Sequence, residues 1–127
     1  TISGTYSDQT WATISDDTHG AMGSVSYTVP QSGRYVIIAQ NLVQYTSASG
    51  NQNVKLRLYK NGSTEIKWFG FFAPAAVTNF FTTLTVNSGE IVLNAGDTIK
   101  AQLSTTMSSA SISSDNAINY FSVYKIK

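Results

Sequence analysis

The residues of this chain that can do chemistry are few and scattered. The single histidine, His19, lies in a polar stretch with Asp16 and Asp17. A histidine beside carboxylates, in a chain rich in serine, is raw material for a nucleophilic site. No serine, however, is flanked by the sharp glycine turn that holds such a nucleophile and its oxyanion donors, so His19 reads as a surface residue. Asp8, Glu65 and Glu90 stand alone in the sequence, whereas glycoside hydrolysis needs two carboxyl groups facing one cleft. One histidine and no cysteine exclude a structural zinc site. Calcium takes oxygen ligands, and Asp16, Asp17 and Asp115 could supply them, but without EF-hand spacing they read first as solvated loop carboxylates. The expectation is a protein that is not an enzyme and holds no cofactor, with calcium as its one candidate ion.

Recognition chemistry is better represented. Saccharides are held by planar aromatic faces beside amides and hydroxyls, and Tyr45, Ser47, Asn51, Gln52 and Asn53 combine these types within one stretch. Trp68, Phe69, Phe71 and Phe72 add aromatic surface near the next connection. Serine- and asparagine-rich loops are also ordinary solvated connectors, and a tryptophan is more often packed than free.

Those side chains need a scaffold. At 127 residues the chain forms one domain with room for a core. Charged residues are only 12% of the chain and the net charge is +1, which argues against nucleic acid as a partner. Serine and threonine make up roughly a quarter of the residues, a composition that suits a β-rich protein on a virion or cell surface. No apolar run approaches a membrane span of about 20 residues. The start at Thr1 is neither an initiator methionine nor a signal peptide, so the chain is expected to be the end of a longer protein.

Period-two alternation recurs along the chain and helical periodicity does not. Strands are expected near Gln9 to Ile14, Ser24 to Val29, Arg34 to Tyr45, Val54 to Tyr59 and Thr64 to Phe69. Phe80 to Leu93, with Ser88-Gly89 inside it, Thr98 to Ser104, and Ile118 to Ile126 complete the set. Val54, Leu56 and Leu58 point inward and Lys55, Arg57 and Tyr59 outward, while Tyr35 to Ala39 is apolar on both faces. Asn61-Gly62 is a two-residue hairpin turn, since both types tolerate positive φ. The expected fold is all-β, an antiparallel double-sheet jelly roll of about eight to ten strands.

The connections sort themselves by position. Gln31-Ser32-Gly33, Asn61-Gly62 and Asn94-Ala95-Gly96 are tight, and they alternate with long stretches at Ser15 to Gly23, Thr46 to Asn53, Gly70 to Asn79 (unusually apolar for a connection) and Thr105 to Asn116. Consecutive antiparallel strands reverse direction. All four long stretches are therefore expected at one end, with the tight turns and both termini at the other. Asp97 reads as a turn residue accepting backbone hydrogen bonds.

Tyr27-Thr28-Val29-Pro30, Gly33-Arg34-Tyr35, Val54 to Tyr59 with Asn61-Gly62, Leu93 to Ile99 and Tyr120 to Tyr124 follow in order the pattern of C1q-like domains. The chain resembles that family, and with it the wider tumour-necrosis-factor-like superfamily, over Ser24 to Ile126. It departs at Val123, where the family usually has glycine. The resemblance implies a jelly roll that assembles as a compact homotrimer, often at the end of a stalk. It places Tyr35, Phe80, Tyr120 and Tyr124 at or near the subunit interface, and directs Phe121 and Val123 to the opposite side. The function expected is a trimeric head of a viral or phage fibre or spike, or of a bacterial surface appendage. Such a head would bind a cell-surface glycan or protein receptor through its long-loop end. The alternative is a structural trimerisation cap, or a surface decoration, with no ligand.

Overall fold

The computed structural model describes residues 6–9, 23, 25–48, 52–72, 77–107, 110–112 and 119–127. Ten strands run through them: β1 (Ser7–Asp8), β2 (Ser26–Thr28), β3 (Gly33–Ala48), β4 (Asn53–Lys60), β5 (Thr64–Phe72), β6 (Val77–Asn87), β7 (Ile91–Leu93), β8 (Thr98–Thr105), β9 (Ser111–Ile112) and β10 (Tyr120–Lys125). One sheet has the order β1-β8-β4-β5, with β2 also on β8; the other has the order β10-β3-β6, with β7 and β9 also on β3. Every ladder is antiparallel. The all-β sandwich expected from the alternation is what forms.

The core lies between the sheets and follows the pleat. Tyr35, Ile37, Ala39, Val43 and Tyr45 of β3 alternate inward and meet Val54, Leu56 and Leu58 of β4 and Ile99, Ala101 and Leu103 of β8. Leu84 and Val86 of β6 complete the wall, in register with Asn41 and Ala39. Phe121 and Val123 of β10 pair with Ala39 and Ile37 and pack on the same core, as expected.

Two stretches that read as loops are largely strand. β3 continues to Ala48, which pairs with Val77, and Asn53 pairs with Phe72. The connections thus shrink to 49–52 and 73–76. Serine, glycine and asparagine weaken a strand locally, but two ladders on either side outweigh that preference. The run from Phe80 to Leu93 is broken after Asn87: Gly89 takes φ of 69°, and the buried Ser88 hydroxyl accepts the Ile37 N–H at 2.9 Å.

The arrangement of the ends is half as expected. Ala48 opposite Val77, Asn53 opposite Phe72 and Val54 opposite Thr105 bring three of the long connections to one end. The fourth, Ser15 to Gly23, lies almost wholly outside the described residues. At the other end the Arg34 N–H donates to the Lys127 carbonyl, which puts the C-terminus beside the tight turns. β1 differs: Ser7 faces Leu103 and Asp8 faces Gln102, so the chain enters from the long-loop side and runs toward the tight turns. The C-terminus lies at the tight turns as expected, while residues 1–5 and most of the strand read at Gln9 to Ile14 lie outside the described residues.

Asn61 joins the tight turns into one unit. Its backbone has φ of 54° and that of Gly62 67°, the positive φ pair expected there, but Lys60 pairs with Thr64, so the connection is Asn61 to Ser63, three residues rather than two. The Asn61 side-chain amide donates to Asp97 at 3.0 Å and its carbonyl oxygen accepts from the Thr98 N–H at 2.8 Å. Asp97 in turn accepts the Asn94 N–H at 2.9 Å, the backbone role expected of it. Asn61→Ala removes these bonds and the tolerance for positive φ together, so a loss of about 1–2 kcal/mol is expected in urea unfolding. Asn61→Gly keeps the backbone freedom and is expected to lose less.

Candidate functional site

The pleat gives the second sheet an outward face that is half apolar. Register places Val36, Ile38, Gln40, Leu42 and Gln44 of β3 on one side of the strand, opposite the core-facing set. Tyr120, Ser122 and Tyr124 of β10 flank them on one edge, and Phe81, Thr83, Thr85 and Asn87 of β6 on the other. None of these positions is charged. Phe81 is 52% exposed and Tyr124 57%. At the centre the Gln40 carbonyl oxygen accepts from the Thr85 hydroxyl at 2.7 Å, with the Tyr120 hydroxyl at 3.4 Å, so hydrogen bonds within the sheet hold the polar positions. Among the described residues of this face, charge returns at the tight-turn rim, where Arg34 meets Glu90 at 3.1 Å.

Of the four expected interface residues, Tyr120 and Tyr124 lie on this face and two do not. Tyr35 is buried in the core, and its hydroxyl donates to the Gln31 carbonyl. Its neighbour Val36 takes the outward place. Phe80 is in register with Tyr45 on the inner side, at the open edge of the sandwich. There its ring stacks on Phe71 at 6.2 Å and tilts against Tyr45 at 5.6 Å. Phe81 is the outward residue. Both differences are one-residue shifts of phase, which turn a side chain to the opposite face.

The long-loop end offers less to a ligand than its composition promised. Tyr45 is fully buried, which pushes its phenol above the ordinary value; it belongs to the core and not to a binding loop. Gln52 donates to the Thr106 carbonyl at 2.9 Å. The Asn53 N–H donates to the Thr106 hydroxyl at 2.8 Å, and its carbonyl accepts from the Thr105 hydroxyl at 2.8 Å. These bonds clamp the start of β4 to the end of β8. Ser47 is a β3 residue whose backbone pairs with Thr78. Asn51, Asp16, Asp17, Asp115 and His19 lie outside the described residues, and among those described no cluster of histidine, aspartate and glutamate could hold a metal ion.

The outward face of the first sheet carries the other exposed aromatics. The Arg57 guanidinium lies 3.6 Å from the Tyr6 ring centroid and 4.0 Å from that of Tyr59. It also donates to Gln102 at 2.8 Å and meets Glu65 at 3.5 Å. The planar fork is thus stacked and paired at once, a geometry lysine cannot copy. Along the sheet, Trp68 and Phe72 point outward, 47% and 52% exposed, on either side of Gly70. The Lys55 ammonium stands 5.0 Å from the Trp68 ring centroid. The outward alternation of Lys55, Arg57 and Tyr59 was legible in the sequence. The stacking on Arg57 was not, because Tyr6 stands just before a strand of only two residues.

Asp8 joins the same face. Hydrogen bonds from Gln102 at 2.7 Å and Lys100 at 3.1 Å hold its carboxyl below the ordinary value of 3.8, the Gln102 bond contributing most. Asp97 is lowered too, first by its bond from Asn61. A carboxyl with a depressed folded pKa stabilises the fold above its unfolded pKa, and that contribution is lost as pH falls through the folded pKa. Urea midpoints are expected to fall as the pH drops below about 4, less steeply in Asp8→Asn. An unchanged acid limb in that variant would count against the Gln102 and Lys100 pairing.

No family model and no curated protein matches the sequence. Solved structures do. A tumour-necrosis-factor protein, Eiger, from S. frugiperda superposes with a TM-score of 0.62 at 12% identity, covering 82% of this chain and 66% of that one. A carbohydrate-binding module of Cellvibrio mixtus lichenase 5A, in complex with cellotriose, aligns with a TM-score of 0.35 at 17% identity, over 80% and 66% of the two chains. This chain spans just under two thirds of the length of each. The first match shows the fold alone, an all-β jelly-roll sandwich.

Proposed function

We propose that the chain is a self-associating recognition head, a homotrimer joined through the outward face of β3, β6 and β10. The observation that carries this is the uncharged, half-apolar surface around Ile38, Leu42, Phe81 and Tyr124. An exposed apolar patch rimmed by polar groups marks an interaction surface, and a face without charge can be buried against a copy of itself without stranding an ion. The three-fold count follows the tumour-necrosis-factor-like resemblance. In such an assembly the first sheet, with its aromatics, faces outward and is free to bind a glycan or protein receptor. The low charge and hydroxyl-rich composition suit a place on a virion fibre, spike or cell surface.

A structural cap with no ligand at the long-loop end is the second reading. It is favoured by the bonds of Gln52 and Asn53, which tie that end to Thr105 and Thr106. Sedimentation equilibrium at micromolar concentration tests the assembly: a trimer mass is expected, and a monomer or dimer overturns it. A glycan and host-cell binding screen, repeated with Thr46 to Asn53 replaced, separates the readings. Binding that survives the replacement places recognition elsewhere on the head, and no binding leaves the cap.

A further inference from the structure

Gly70 is a glycine in the middle of β5, where it weakens a strand by about 0.5–1 kcal/mol relative to alanine. A side chain there has no room. A Cβ at this position would stand 2.9 Å from the Trp68 ring, 3.3 Å from the Phe72 ring and 3.4 Å from the Lys55 stem. Three outward side chains thus converge over one bare backbone position, in register with Lys55 on β4. The result is a shallow aromatic platform crossed by the Lys55 stem, with its ammonium 5.0 Å from the Trp68 ring centroid. The neighbouring cations are already satisfied, Arg57 by Glu65 and Lys100 by Asp8. Lys55 makes no ion pair among the described residues; its one recorded partner is the Trp68 ring.

We propose that Trp68, Phe72 and Lys55 form a binding site for a carboxylate-bearing saccharide, such as a uronic or sialic acid residue. A pyranose ring has an apolar C–H face that a planar aromatic side chain covers, which accounts for two exposed rings drawn together over a bare glycine. The carboxylate of an acidic sugar meets the unpaired Lys55, and a short charge-assisted bond there selects it over a neutral one. The site lies on the sheet opposite the proposed subunit interface, so assembly leaves it open. Three copies in one trimer would raise avidity for a repeating acidic glycan without any new contact. The inference rests on the recognition reading above and not on the three-fold count.

The test titrates the whole chain with trigalacturonic acid, its methyl ester and tetraglutamate, followed by NMR. The acid is expected to shift the Trp68 indole and to bind at least about tenfold more tightly than the ester. Trp68→Ala and Phe72→Ala, both at exposed positions, are each expected to weaken the acid about tenfold. Lys55→Gln should make acid and ester equal. Gly70→Val should block both while leaving the β4–β5 amide resonances in place. No binding of the acid, equal binding of the ester, undiminished binding by Trp68→Ala, or tetraglutamate binding as tightly as the acid would each overturn the proposal. Because the site is read in monomer or trimer alike, its failure in a trimeric sample leaves the assembly standing, and binding by a monomer retains the site.

Discussion

Ile38→Glu is expected to yield a folded monomer. Ile38 sits at the centre of the outward face, between Ser122 of β10 and Asn87 of β6. It is half-buried in the single chain, so a glutamate there can turn to solvent and the sandwich survives. In the trimer the same carboxylate would be buried on a face with no cation to meet it. Leaving one charge unpaired in an interface costs about 3–5 kcal/mol, roughly 150- to 5,000-fold in affinity per contact. Analytical ultracentrifugation is therefore expected to show a trimer for the wild type and a monomer for the variant, with an unchanged far-ultraviolet spectrum. Should Ile38→Glu unfold, Tyr124→Glu keeps the test open, since Tyr124 is 57% exposed and bears little on the core. A trimer that persists in either folded variant would place the interface elsewhere. Thr64→Glu, at an exposed position on the first sheet, serves as the silent control.

Leu56→Ala carries the largest expected loss of stability. Leu56 is fully buried at the centre of β4, between Phe69 on β5 and Leu103 on β8. Truncation loses the transfer energy of the removed carbons and leaves a cavity that two ladders hold open, for about 2–5 kcal/mol. Against the 5–15 kcal/mol typical of a whole domain that is a large share. Urea unfolding should show the midpoint falling with little change in slope. Leu56→Met, which conserves volume, should cost under about 1.5 kcal/mol. Equal losses in the two variants would contradict the packing described for this strand.

What could be read from the sequence divides by the range of the interaction that decides it. Asn61-Gly62 and Asp97 were legible because turn chemistry is local: positive φ and a short side chain returning to nearby backbone. The β4 alternation was legible because one face is wet and the other dry. The phase of β3 was not, since Tyr35 to Ala39 is apolar on both faces, and only packing between the sheets sends Tyr35 inward and Val36 outward. The same parity puts Phe81, and not Phe80, on the outward face. Gly70 looked like the start of a loop because glycine usually breaks a strand. Its position in register with Lys55 shows instead a strand kept bare beneath two rings. Tyr45, Gln52 and Asn53 had the right types for recognition, but burial and cross-strand hydrogen bonds are set by residues more than 50 positions away in the chain for Gln52 and Asn53.

In the proposed trimer the outward face of β3, β6 and β10 is buried between subunits while the opposite face stays open. Hydroxyl-radical footprinting of the assembled protein tests it in one measurement, because tyrosine, phenylalanine and tryptophan all report. Phe81, Tyr120 and Tyr124 are expected to be protected relative to the Ile38→Glu monomer, with Trp68 and Phe72 oxidised equally in both. Protection of Trp68 and Phe72 in place of Phe81 and Tyr124, or no difference between the two samples, would contradict it.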